Sequence, residues 1–175
     1  MKKLLVVIGV LAGMAGMLFA GGIVIGEKPP LLVLEGKDGG RLDNNPWSSA
    51  ELKETAWCLF YVDPDESDMN VAAEEALEKE DISKDLLRSV AVINYKATKL
   101  PAFAVSMVLK NKQKKYPGTV YLKDTSHAFV QQWGLTDDTY CILVFNKNGV
   151  LVYRKDGKME EAEIAEYIAT IKKNL

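Results

Sequence analysis

Trp57-Cys58-Leu59-Phe60-Tyr61-Val62-Asp63-Pro64-Asp65-Glu66-Ser67-Asp68 decides the fold. Six residues rich in β-formers run into an acidic turn, and a helix then starts. Such a strand is apolar on both faces, so it belongs at the centre of a sheet. In open α/β sheets, ligands bind off the carboxyl ends of such strands. Here that end carries carboxylates and a serine but no thiol.

Downstream, Ser67 or Asp68 is placed to cap a helix reaching Lys79, rich in Ala, Glu and Leu. Arg88 to Tyr95 reads as a second buried strand. A strand, helix and strand of this length form a right-handed unit with parallel strands. Pro101 suits the first turn of a helix that runs to Tyr116 and is stopped by Pro117-Gly118. Thr119 to Lys123 is a short strand, and Thr125 or Ser126 caps a helix to Trp133 that Gly134 ends. Tyr140 to Phe145 is a third buried strand, turned by Asn146-Lys147-Asn148-Gly149 into Val150 to Tyr153. A last helix, Glu160 to Lys173, puts Ile164, Ile168, Ile171 and Leu175 on one stripe. Upstream, Leu31 to Glu35 reads as a short strand, Gly36 to Gly40 as a turn, and Asn44 to Leu52 as one or two helical turns.

The N-terminus has the form of an export signal. Met1-Lys2-Lys3 is a basic start, Leu4 to Phe19 is uncharged and apolar, and Ala20-Gly21-Gly22 is small. Residues 1–22 are thus expected to be a signal peptide, cleaved after Ala20 or Gly22. The alternative is an uncleaved anchor over residues 4–26, since about 20 apolar residues cross a bilayer. Residues 23–30 read as a linker closed by Pro29-Pro30, and 31–175 as one domain. The expected location is exported and periplasmic.

A formal charge of -2 conceals a division. Residues 51–85 hold twelve acids against three bases, and residues 86–123 hold eight bases and no acid. Near-neutral overall charge gives no basis for nucleic-acid binding, and the lysines lack the interleaved aromatics that single strands stack on.

The order β-α-β, then α, then a β-hairpin and a closing helix is that of the thioredoxin fold: an α/β architecture with a central mixed sheet flanked by helices. Residues 119–135 resemble the insertion of the peroxiredoxin-like and TlpA-like branch. Within that branch Pro46-Trp47-Ser48-Ser49-Ala50-Glu51-Leu52, Val92-Ile93-Asn94, Lys112-Gln113-Lys114-Lys115-Tyr116-Pro117, Trp133, Asn146-Lys147-Asn148-Gly149 and Lys155-Asp156-Gly157 resemble the YtfJ family. The resemblance covers roughly Leu31 to Lys173 and implies an exported thioredoxin-like protein without an assigned biochemical activity. Lys53-Glu54-Thr55 departs from it, where the family tends to place a Gly-Lys turn.

Thioredoxin chemistry needs a thiolate at the helix start after the central strand and a second thiol three residues on. Those places fall near Ser67 and Asn70, and Tyr140 stands near the expected cis-proline position. The chain is therefore not expected to act as a thiol-disulfide oxidoreductase or peroxiredoxin. Cys58 and Cys141 begin adjacent antiparallel strands and so lie at opposite ends, too far apart for a bridge that needs Cα atoms within about 7 Å. His127, the only histidine, is expected at the surface. Asp63, Asp65, Glu66 and Asp68 suit helix capping better than a cation loop, which wants a glycine to turn on. No cofactor or metal is expected.

The expected function is a non-catalytic binding module. It would hold a peptide or an envelope protein on an edge formed by Asp63, Asp65, Ser67 and Tyr140. The alternatives are an enzyme using Ser67 with the acidic turn, and an envelope-anchored structural protein. Membrane contact is expected only through an uncleaved N-terminus. The helix from Pro101 is apolar on nearly every side of its first half. Cover is expected from Phe129, Val130 and Trp133, or else from another molecule.

Overall fold

The structure is a computed structural model that describes residues 22–175. The signal-peptide reading of residues 1–22 falls almost wholly outside it. Eight strands and four α-helices follow in chain order among the described residues: β1 (Val33–Leu34), β2 (Gly39–Arg41), β3 (Trp47–Ser48), β4 (Ala56–Val62), α1 (Val71–Lys79), β5 (Leu87–Asn94), α2 (Ala102–Lys115), β6 (Thr119–Asp124), α3 (Ala128–Trp133), β7 (Tyr140–Phe145), β8 (Leu151–Asp156) and α4 (Glu161–Lys173). Six strands form one sheet in the order β2-β6-β5-β4-β7-β8, and β1 pairs with β3 separately. β4, β5 and β6 run parallel, and the remaining neighbours are antiparallel. The decisive strand is central, and all seven of its residues are buried.

Alternation along β4 divides the core in two. Trp57, Leu59 and Tyr61 face one side, with Phe129 and Trp133 of α3, Trp47, and the N-terminal Ile23, Leu32 and Leu34. Cys58, Phe60 and Val62 face the other, with Ala73 of α1, Val105 and Leu109 of α2, and Tyr167 and Ile171 of α4. The division follows from handedness. The steps β4 to β5 and β5 to β6 move the same way across the sheet, so two right-handed crossovers put α1 and α2 on the same face. The chain then returns beneath the sheet through α3 to reach β7.

Several expectations need correction. α1 is not capped by Ser67 or Asp68. Asp63 instead accepts the Asp65 N–H at 2.9 Å and starts a short 3-10 turn over Pro64–Glu66, and α1 begins only at Val71. Asn70, just before it, is used as a tertiary tie, donating to Gly157 O (3.1 Å) and accepting from Met159 N–H (2.9 Å). α3 is not capped by Thr125 or Ser126 either. The carboxylate of Asp124, at the end of β6, accepts the N–H groups of Ser126, Ala128 and Phe129 at 3.0–3.1 Å. The turn expected at Gly36–Gly40 continues into β2, where Gly39 has φ +124° and a Cβ would stand 1.9 Å from Lys123 O. Only glycine can bring an edge strand in this way. The helical turns expected over 44–52 are β3 followed by a 3-10 turn with a Ser48/Glu51 capping box. On α4, Tyr167 and Ile171 are fully buried, whereas Leu175, expected on the same stripe, lies beyond the helix and is exposed.

Residues 23–30 lie against the fold: Ile23 N–H donates to Trp133 O, and Gly26 and Glu27 bond the backbone of Leu151. No helix among the described residues is long and apolar enough to cross a membrane.

Candidate binding groove

Two crossover helices on one sheet face leave a trough wherever their side chains do not meet. Between α1 and α2 there is an open cavity of about 790 Å³, within the range typical of ligand pockets. Phe60, Ala91, Ile93, Tyr121 and Tyr140 line its floor. Val71, Glu74 and Glu78 stand on the α1 wall, and Val108, Lys112 and Lys115 on the α2 wall. The acidic and basic blocks of the sequence thus become two facing walls of opposite charge. None of the ion pairs among the described residues spans them.

The deepest polar group is Tyr140, whose hydroxyl donates to Glu74 Oε1 at 2.5 Å. Burial pushes this phenol well above its ordinary range, and the neighbouring Glu74 charge adds to the effect. Burial likewise pushes Tyr121 up to about 12. Both phenols stay neutral at physiological pH and present hydroxyls set in an apolar floor. Lys115 is raised chiefly by its contact with Tyr116, with smaller contributions from Glu78 and Glu74 across the trough.

The four residues expected to form one edge are divided. Ser67 and Tyr140 line the groove, though Tyr140 is buried at its base rather than displayed at a rim. Asp63 is buried and committed to its turn. Its carboxyl is raised, mainly by burial and less by the charges of Asp65, Asp138 and Glu66. Asp65 accepts the Thr98 hydroxyl at 3.2 Å, outside the groove. Glu74 and Tyr121 did not stand out as site residues in the sequence, and Lys112 and Lys115 stood out only as part of a basic helix end. The signal that could have found them was the charge division itself, once both blocks were placed on consecutive crossover helices.

His127 is not a plain surface residue. It sits at the head of α3 in a left-handed conformation, φ +62°. Its Nε2 is buried without a hydrogen bond, 3.6 Å from Asp137 Oδ1. That same oxygen accepts from Asn94 Nδ2 at 2.6 Å. The cluster joins the head of α3 to the end of β5 and the loop before β7, and no hydrogen bond links His127 to Ser67 among the described residues. Among the described residues, no group of three or more metal-ligating side chains converges.

The cysteines are free and buried on opposite faces. Cys58 pairs across the ladder with Val144, and Cys141 with Tyr61, which keeps them apart as the strand register demanded. Burial raises both thiols to about 12, so neither supplies a thiolate.

The chain matches a family model described as "Bacterial protein of unknown function (YtfJ_HI0045)" over residues 34–174. It is 21% identical over 141 residues to the uncharacterised protein YtfJ of Escherichia coli K12, covering 79% of this chain and 77% of that one. Solved structures with the same architecture include the exposed lipoprotein thioredoxin Etrx1 of Streptococcus pneumoniae, 18% identical with a TM-score of 0.55, covering 82% of this chain and 99% of that one. They also include a 2-Cys peroxiredoxin of Plasmodium vivax, 12% identical with a TM-score of 0.54 over 85% and 96%. The fold is therefore thioredoxin-like.

Proposed function

This chain belongs to the YtfJ_HI0045 family, and we propose that it is an exported, non-catalytic binding module that holds a peptide segment of an envelope protein between α1 and α2. The observation that carries the reading is the groove, with an apolar and phenolic floor between walls of opposite charge. An extended peptide suits it because alternate side chains can point into the floor while the others reach the walls. A cation would lie toward Glu74 and Glu78, and an acid toward Lys112 and Lys115. Periplasmic location rests on the basic, apolar and small-residue order of the N-terminus.

Catalysis has less support. The Ser67 hydroxyl makes no hydrogen bond to a base among the described residues, and His127 Nε2 makes none at all.

Peptide display against the full chain tests the proposal. The expected winners carry apolar side chains at alternate positions, flanked by one cation and one acid. Exchanging the walls, with Glu78→Lys and Lys112→Glu together, reverses the order of the two charges in the winners. Selection that finds no such pattern, or that ignores the exchange, overturns the reading.

A further inference from the structure

The outward side of α2 has no cover. Phe129, Val130 and Trp133, expected to supply it, belong to the opposite face of the sheet. Phe103 remains 71% exposed and Met107 61%, with Leu100 at 48% just before the helix. At 100° per residue, Phe103, Met107, Lys110 and Lys114 fall within about 60° of one another, on the side away from buried Val105 and Leu109. One stripe is thus apolar for its first half and cationic for its second.

The surroundings continue the pattern. Lys96 and Lys99 are exposed beside Leu100, and no acid occurs anywhere from residue 86 to 123. The carboxylate closest in the bonding network is Asp65, which holds Thr98. Glu74 and Glu78 face the groove on the other flank of α2.

We propose that this stripe is a peripheral docking surface for an anionic lipid bilayer. Phe103, Met107 and Leu100 would enter below the headgroups, while Lys96, Lys99, Lys110 and Lys114 meet phosphates at their level. A second copy of the chain is a poor occupant, because a two-fold contact sets each patch against itself and would press four lysines against four. A bilayer answers both halves of the stripe at once. Apolar side chains with flanking lysines are the usual composition of a helix lying in a membrane interface. The attraction falls off within a Debye length and is screened by salt. Leu100 also lines the end of the groove, but Phe103, Met107, Lys110 and Lys114 do not, and the rest of the groove uses the other side of the helix.

The test uses the full chain with Asn111→Cys carrying an environment-sensitive dye. The two native thiols are buried, so labelling is selective. Asn148→Cys, on the β7–β8 turn, is the control. Whatever residues 1–21 do at a bilayer, this probe reports α2. Vesicles of equal parts phosphatidylglycerol and phosphatidylcholine are expected to blue-shift the Asn111 probe several-fold more than pure phosphatidylcholine. The shift should vanish in high salt and be absent at the control site. Phe103→Glu with Met107→Glu, and separately Lys110→Glu with Lys114→Glu, should each abolish it at unchanged melting temperature, since all four side chains are exposed. Three results would overturn the proposal: no shift on anionic vesicles, an equal shift on neutral ones, or survival of the shift in both charge variants. A shift without lipid that grows with protein concentration would instead assign the stripe to a second copy and equally overturn it.

Discussion

The two faces of the sheet are built from the same strands but finished differently. On the α3 side, Phe129 stacks on Trp47 at 6.0 Å, meets Trp133 edge-on at 4.9 Å and lies 5.3 Å from Tyr61. Trp133 in turn bonds Pro30 O through its indole N–H at 3.0 Å. Aromatic bulk, the N-terminal arm and the Asp124 cap close this face. On the other face α1, α2 and α4 share the cover, and α1 and α2 leave a trough between them. The first face is sealed, and the second leaves apolar surface uncovered in the trough. Large side chains seal a sheet when they come from several segments at once, whereas two helices docked side by side do not.

Truncation should break this comparison most visibly. Trp133→Ala removes a fully buried indole and is expected to cost about 3–5 kcal/mol in denaturant unfolding. The matching change on the open face, Val108→Ser, should stay within about 0.5 kcal/mol, because Val108 already meets solvent. Comparable losses at the two sites would show that the groove is closed in solution.

A smaller effect concerns pH. Burial pushes Asp156 up, but the Arg154 guanidinium (Nη2 to Oδ2 2.6 Å) and Thr136 outweigh it and hold the carboxyl below its ordinary value of 3.8. The folded state therefore binds this proton less readily than the unfolded one. Its stabilisation is fully present above the unfolded value and is lost as pH falls through 3.8 toward the folded value. Asp63 has the opposite sign: its raised folded value costs stability as pH rises from 3.8 through that value. Asp156→Asn should flatten the acid limb of the stability profile, and Asp63→Asn should steepen it. Matching changes in both variants would contradict the assignment.

Strand and helix order was legible because hydrophobic runs and Gly or Pro stops are local. The three buried strands, the parallel β4–β5 pair and the separation of the cysteines all followed from it. Caps were not legible where a distant residue won. Asp124 holds α3 from the end of a strand, while Asn70 ignores the helix beside it and ties to Gly157 and Met159. β2 was missed because Gly39-Gly40 reads as a turn until a partner strand is in place. Ser67 was found from its place after the central strand and Tyr140 from the expected cis-proline position of the thioredoxin fold, but the groove walls required knowing that α1 and α2 share a face. The exposure of Phe103 was one of two outcomes left open, and the sequence could not choose between them, since its candidate cover is near in sequence but folds beneath the sheet.

Backbone amide shift mapping of the full chain with a display-selected peptide, repeated in Ala91→Phe, tests the groove most directly. Ala91 lines the floor, and a phenyl ring there would fill the trough without touching the α3 face. The expected result is shifts concentrated on Phe60, Ile93, Tyr121 and the facing sides of α1 and α2, disappearing in the variant while its fold persists. Shifts centred on Trp47, His127 and α3, or binding undiminished by Ala91→Phe, would contradict it.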